Sequence, residues 1–147
     1  MLFRSLPGML ERGYGRIINV SSLAGLIPAP AGHTLYPASK AFVMRFSEAL
    51  SEEVRGKGVH VTALCPGFTR SEFHDVTGTR PSVSKLPGAM WQDSPTVARE
   101  GYAAVMAGRA VYVPGRLNRA MAFVARHAPW MLTVIQRRFS WAYRKTE

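Results

Sequence analysis

Apolar positions along this chain change period block by block, with Gly and Pro between the blocks. Residues 1–13 read as helical, with a break at Pro7-Gly8 and a stop at Gly13. In Arg16–Ser21 the apolar residues Ile17, Ile18 and Val20 crowd together without clean alternation, which predicts a strand buried on both faces of a parallel sheet. A loop rich in Gly, Pro and Ala follows over 22–34. Ala38, Ala41, Phe42, Phe46, Ala49, Leu50 and Val54 then recur at helical spacing. They predict a helix over about Leu35–Arg55, with Pro37 tolerated in its first turn and Gly56 and Gly58 at its end. Val59–Cys65 is a second strand, stopped by Pro66-Gly67. Residues 66–93 are punctuated by Pro and Gly and read as a long irregular loop. Ser94 before Pro95 is an N-cap and first-turn signature for a helix to about Ala107. Ala110–Val113 is a third short strand, and 116–145 read as helical, broken near Pro129. Strand, helix, strand, helix, strand is the order of an α/β domain with a parallel sheet.

At 147 residues, 47% apolar and 19% charged, the chain suits one globular domain and no disordered class. One cysteine, Cys65, excludes a disulfide framework and fits a reducing cytosol. One Cys and four scattered His offer no four-ligand metal spacing. A charge of +10 permits anionic partners without choosing among them. The N-terminus carries no long apolar run, so no signal peptide is expected, and no stretch reaches the roughly 18–20 apolar residues of a membrane span.

Three short motifs carry chemistry. Tyr36-Pro37-Ala38-Ser39-Lys40 places a phenol and an ammonium four apart, on one helix face. An ammonium one turn away favours the phenolate form of a tyrosine, and a helix N-terminus acts in the same direction, so such a pair can handle a proton near neutral pH. Alone, the pair is more often a packed tyrosine beside a solvated lysine. Asn19-Val20-Ser21-Ser22 puts two hydroxyls at the carboxyl end of a buried strand, where open α/β sheets bind ligands. Their plain alternative is capping of backbone groups, the preferred reading for Ser21. Cys65-Pro66-Gly67-Phe68-Thr69-Arg70-Ser71 closes the second strand with a bend that lets main chain approach a flat ligand, beside the hydroxyls of Thr69 and Ser71.

In this order the three motifs resemble the C-terminal half of the short-chain dehydrogenase/reductase family, over about residues 1–115. The resemblance implies an α/β, Rossmann-like doubly wound parallel sheet, incomplete, holding the last three strands and their helices. It implies hydride transfer between NAD or NADP and a ketone or secondary alcohol, a small-molecule substrate. Ser22 resembles the serine that hydrogen-bonds the substrate oxygen, and Tyr36 the catalytic acid/base. Lys40 resembles the lysine that favours the phenolate and holds the nicotinamide ribose. Pro66, Gly67, Thr69 and Ser71 resemble the segment that grips the nicotinamide carboxamide, and about 70–93 the variable substrate loop. No metal is implied.

The resemblance also has a gap. Nothing here matches the family's Gly-rich turn, whose helix N-terminus binds the pyrophosphate, and Asn19 and Asn118 do not stand where the family has its catalytic asparagine. At roughly 30 residues per βαβ unit, about a hundred residues are missing. The expectation is a fragment of a longer enzyme, with an open apolar edge on strand 16–21 that a second copy or a complementing N-terminal half would cover. By itself it is expected to bind little nicotinamide cofactor. The competing class is a non-catalytic truncated remnant acting as a subunit or membrane-associated module.

Residues 1–115 are thus read as the dehydrogenase portion and 116–147 as a basic amphipathic helical extension. That extension holds Arg116, Arg119, Arg126, Arg137, Arg138, Arg144 and Lys145 against one acid, Glu147, interleaved with Trp130, Phe139 and Trp141. The plain reading is a helical hairpin packed on the domain or a partner, with snorkelling arginines. The second is peripheral contact with an anionic membrane through 116–145, on a protein otherwise cytoplasmic. No nucleic-acid partner is expected, because no binding motif accompanies the charge. His33 reads as a surface loop residue and His60 as packed or hydrogen-bonded. Cys65 reads as a small core residue, and Met90 and Trp91 as covering a substrate or packing under their loop.

Overall fold

The computed structural model describes residues 2–29, 34–78, 80–84 and 86–134. His33 and the part of the basic extension beyond Val134 lie outside the described residues. Helix α1 (Leu2–Glu11) leads into strand β1 (Gly15–Val20), a 3-10 turn (Leu23–Gly25) and helix α2 (Leu35–Glu53). Strand β2 (Val59–Leu64) follows, then β3 (Phe68–Arg70), the short helices α3 (Phe73–Val76) and α4 (Arg80–Val83), and β4 (Trp91–Asp93). Helix α5 (Ser94–Met106), β5 (Val111–Tyr112) and α6 (Arg116–His127) complete the named elements, and 129–134 are helical after a break at Ala128.

β1, β2 and β5 form a parallel sheet in that order, with Ile17 opposite Val61 and Leu64 opposite Tyr112. The pleat of β2 explains how the layers form. Val59, Val61, Ala63 and Cys65 point to one face. Val59 and Val61 meet Leu50 and Val54 at the end of α2, with Leu6, Met9 and Leu10 of α1 packed alongside. Ala63 and Cys65 meet Met44 of α2. His60, Thr62 and Leu64 point to the opposite face, toward α5. There His60 Nδ1 donates to the Val105 carbonyl at 2.9 Å and Leu64 packs on Gly101, while Thr62 Oγ1 donates to the Arg109 carbonyl just beyond α5 at 2.6 Å. Helices on both faces of one parallel sheet make the doubly wound arrangement expected, with three strands.

Several local expectations need correction. α1 runs through Pro7 without a break, because the apolar face made by Leu6, Met9 and Leu10 is anchored on the core. β1 is not buried on both faces: Ile17 packs inward, but Ile18 is 37% and Val20 59% exposed. β1 is an edge strand, and α5, which packs over both β1 and β2, leaves Ile18 and Val20 partly open. The stretch 66–93 is not an irregular loop, since β3 and β4 within it pair in parallel, Phe68 opposite Trp91. The cap of α5 is Asp93, which accepts from Thr96 N at 2.9 Å, while Ser94 Oγ donates to the Arg70 carbonyl at 2.6 Å.

Candidate active site at the carboxyl ends of the strands

β1 and β2 end side by side, and their exits are stitched together. Ser21 N donates to the Leu64 carbonyl at 2.8 Å, and Leu23 N to the Pro66 carbonyl at 2.8 Å. The first turns of α2 lean on the same edge. Ser21 Oγ donates to the Lys40 carbonyl at 2.6 Å, and Lys40 Nζ returns to the Val20 carbonyl at 3.1 Å. Ser21 is therefore spent on the backbone, as its plain reading has it. Ser22 Oγ accepts from Ala24 N at 3.1 Å and lies 3.5 Å from the Pro66 carbonyl, the outer limit of a hydrogen bond. Its proton is weakly held, so the hydroxyl can turn to another acceptor.

Tyr36 and Lys40 share one turn of α2, with Lys40 Nζ 5.7 Å from the centre of the Tyr36 ring. Tyr36 is 38% exposed at the open edge and its ring leans on Phe73, centroids 6.0 Å apart. The Pro66-Gly67 turn lies beside Ser22 and Lys40 reaches the end of β1 at Val20, while Tyr36 stands one helical turn from Lys40. Thr69 Oγ1 donates to the Gly67 carbonyl at 3.2 Å, and Ser71 Oγ accepts from Phe73 N at 3.4 Å at the start of α3. The Thr69 hydroxyl thus bonds within its own turn.

Beyond the turn lies an aromatic layer. Trp91 packs on Phe68 at 5.6 Å and on the buried His74 at 5.3 Å, so its ring lies under the segment. An open cleft of about 580 Å³ runs past it, lined by Arg70, Ser71, Glu72, Asp75, Leu86 and Trp91. His74 escaped sequence reading because a four-residue helix leaves no periodic signal. Cys65 is buried, and burial pushes its thiol up to about 11, against smaller lowering by Ser21. It is a core residue and not a nucleophile. Among the described residues no cluster of His, Cys, Asp or Glu gathers as a metal site, and no helix is long and apolar enough to cross a membrane.

A family model described as short chain dehydrogenase matches residues 1–81, more than half of the chain. The chain belongs to the short chain dehydrogenase family. It is 52% identical over 68 residues to an uncharacterized oxidoreductase of Myxococcus xanthus, covering 46% of this chain and 26% of that protein. It is 42% identical over 83 residues to the ketoacyl reductase HetN of Nostoc, covering 56% and 28%. The solved short-chain dehydrogenase of Sphingobium yanoikuyae in complex with NADPH aligns with a TM-score of 0.66 at 27% identity, over 85% of this chain and 48% of that one. The chain thus spans about a quarter of the length of these curated relatives and about half of the solved one.

The donor set at the strand edge fits one part of a nicotinamide dinucleotide. An ammonium, a phenol and a glycine turn suit the nicotinamide and its ribose. Among the described residues no glycine-rich turn follows a strand and opens a helix, as a pyrophosphate needs.

Proposed function

We propose that this chain carries the nicotinamide-binding and catalytic half of an NAD(P)-dependent oxidoreductase acting on a ketone or secondary alcohol. The observation that supports this reading is the placement of Ser22, Lys40 and the Pro66-Gly67 turn at the carboxyl ends of β1 and β2, with Tyr36 one helical turn from Lys40. A bound nicotinamide supplies or accepts the hydride. The Tyr36 phenol, half-exposed at that edge, gives a proton to the carbonyl oxygen in reduction and takes it from the hydroxyl in oxidation. The Ser22 hydroxyl turns from its long contact with the Pro66 carbonyl and donates to the same oxygen, stabilising the charge that develops there. Lys40, held one turn from Tyr36, offers its ammonium to the ribose hydroxyls. Main-chain groups of 66–69, with Thr69 and Ser71, hold the carboxamide. The cleft beside Trp91 takes the rest of the substrate, and the name of the Nostoc relative supports a carbonyl compound. The exposed Leu35 and Phe42 on α2 are where a second copy would pack.

The test follows NADPH oxidation with a ketone substrate. Tyr36→Phe is expected to lower turnover at least about 100-fold while leaving NADPH binding nearly intact. Retained turnover sinks the role of Tyr36. Absence of cofactor-dependent turnover in the unmutated protein, completed by whatever chain supplies its pyrophosphate site, sinks the reading as a whole.

A second reading concerns the extension. Arg116, Arg119, Phe123 and Arg126 are exposed on α6, and Trp130 is 68% exposed just beyond it. Basic and aromatic side chains together suit an anionic membrane surface. The chain is expected to sediment with anionic vesicles at low salt and to be released at high salt. No sedimentation at low salt ends this reading.

A further inference from the structure

The side chain that backs the Pro66-Gly67 turn comes from outside the three motifs. Asn118, in the first turn of α6, is 6% exposed and lies directly against Gly67. A Cβ on Gly67 would stand 2.6 Å from Asn118 Oδ1 and 2.7 Å from its Nδ2. The same Nδ2 donates to the Pro114 carbonyl at 2.9 Å and to Gln92 Oε1 at 2.8 Å. Gln92, on β4, in turn fills the place of a side chain on Gly115, where a Cβ would stand 2.6 Å from Gln92 Nε2. In the opposite amide orientation, which replaces the bond from Asn118 Nδ2, Gln92 accepts from Gly115 N and donates to the Pro114 carbonyl, each at 3.2 Å. Gly115 has φ +82°, so its backbone also disfavours a side chain.

Two carboxamides therefore occupy the space of two absent side chains. They join the turn after β2, the turn after β5, and β4. β4 and Ser94 hold the 68–70 part of the segment, and Leu23 N holds Pro66; at Gly67 it is Asn118 that fills the space beside the backbone. We propose that Asn118, backed by Gln92, is a positioning residue that sets where the 66–71 segment stands at the site edge. Its meaning for nicotinamide rests on the function proposed above; the clamp does not.

Hydrogen exchange of the full chain, read by mass spectrometry, tests the clamp. Asn118→Ala is expected to speed exchange of amides in 66–71 at least about tenfold, with 59–64 unchanged, as local opening requires. Gln92→Leu should act the same way and serves where Asn118→Ala fails to fold. Gly67→Ala alone should also speed exchange, and adding Asn118→Gly should restore protection, because the new methyl group enters the vacated space. A general loss of stability gives no such restoration. Unchanged exchange in both Asn118→Ala and Gln92→Leu, or additive effects in the double variant, overturns the clamp. Titration with reduced nicotinamide mononucleotide, followed at the backbone amide signals of 67–69, separates the two readings. Shifts in the unmutated chain that weaken at least about tenfold in Asn118→Ala support the positioning role, and equal affinity in the two overturns it. No shift in the unmutated chain, which by itself is expected to bind little cofactor, leaves the nicotinamide reading to the turnover test above, and the exchange result decides the clamp by itself.

Discussion

Cys65 shows how place decides chemistry for a single residue. Its thiol sits at the end of β2, buried, with its pKa pushed up from 9.0 to about 11. The sign follows from linkage. The unfolded thiol loses its proton from about pH 9 upward while the folded one keeps it to about 11. The folded state therefore has the full benefit below pH 9, and loses it as pH rises from 9 to 11. The two-unit difference corresponds to roughly 2–3 kcal/mol. Urea midpoints measured across this range should fall more steeply for the unmutated chain than for Cys65→Ala. Equal slopes would show that the thiol is not held protonated. Tyr112 is pushed upward as well, first by burial and then by its hydrogen bond to Glu100.

Among the elements, the joints carry as much constraint as the strands. The turn before β2 meets the turn before β1: Gly58 has φ +75°, and a Cβ on it would stand 1.8 Å from the Gly13 carbonyl oxygen. Gly56 has the same φ of +75° but open space around it. Gly56→Ala should therefore cost only the backbone penalty, about 1–2 kcal/mol. Gly58→Ala must in addition push two chain segments apart, and should cost clearly more. Chemical denaturation of both variants checks this, and equal losses would mean that the two turns do not touch. The same logic made α1 continuous through Pro7: the missing hydrogen bond is offset by Leu6, Met9 and Leu10 on the core.

The whole molecule has one exposed margin that matters. β1 pairs with β2 on one side only among the described residues, and Ile18 and Val20 stand 37% and 59% exposed along it. Unpaired backbone with apolar side chains invites pairing with another chain. The purified chain is expected to self-associate at micromolar concentration, and Val20→Lys to reduce that association, both read by sedimentation velocity. A monomer at all concentrations would refute the open-edge argument.

The sequence by itself determined the parallel α/β order, because each period change is local: β-branched runs for strands, the 3.6-residue pattern for α2, Pro and Gly for the stops. It also determined the candidate set Ser22, Tyr36, Lys40 and 66–71, because each motif is contiguous and sits at a strand end or on one helix turn. Tertiary structure alone decided the rest. The β3–β4 pair draws its stability from contact between segments about twenty residues apart, and each strand is too short to carry a pattern. Asp93 rather than Ser94 caps α5 because β3 claims the Ser94 hydroxyl. Asn118 stood in the sequence as one more polar residue of a basic helix. Only the fold, by packing it against two glycines that leave room for it, turned it into part of the site's frame.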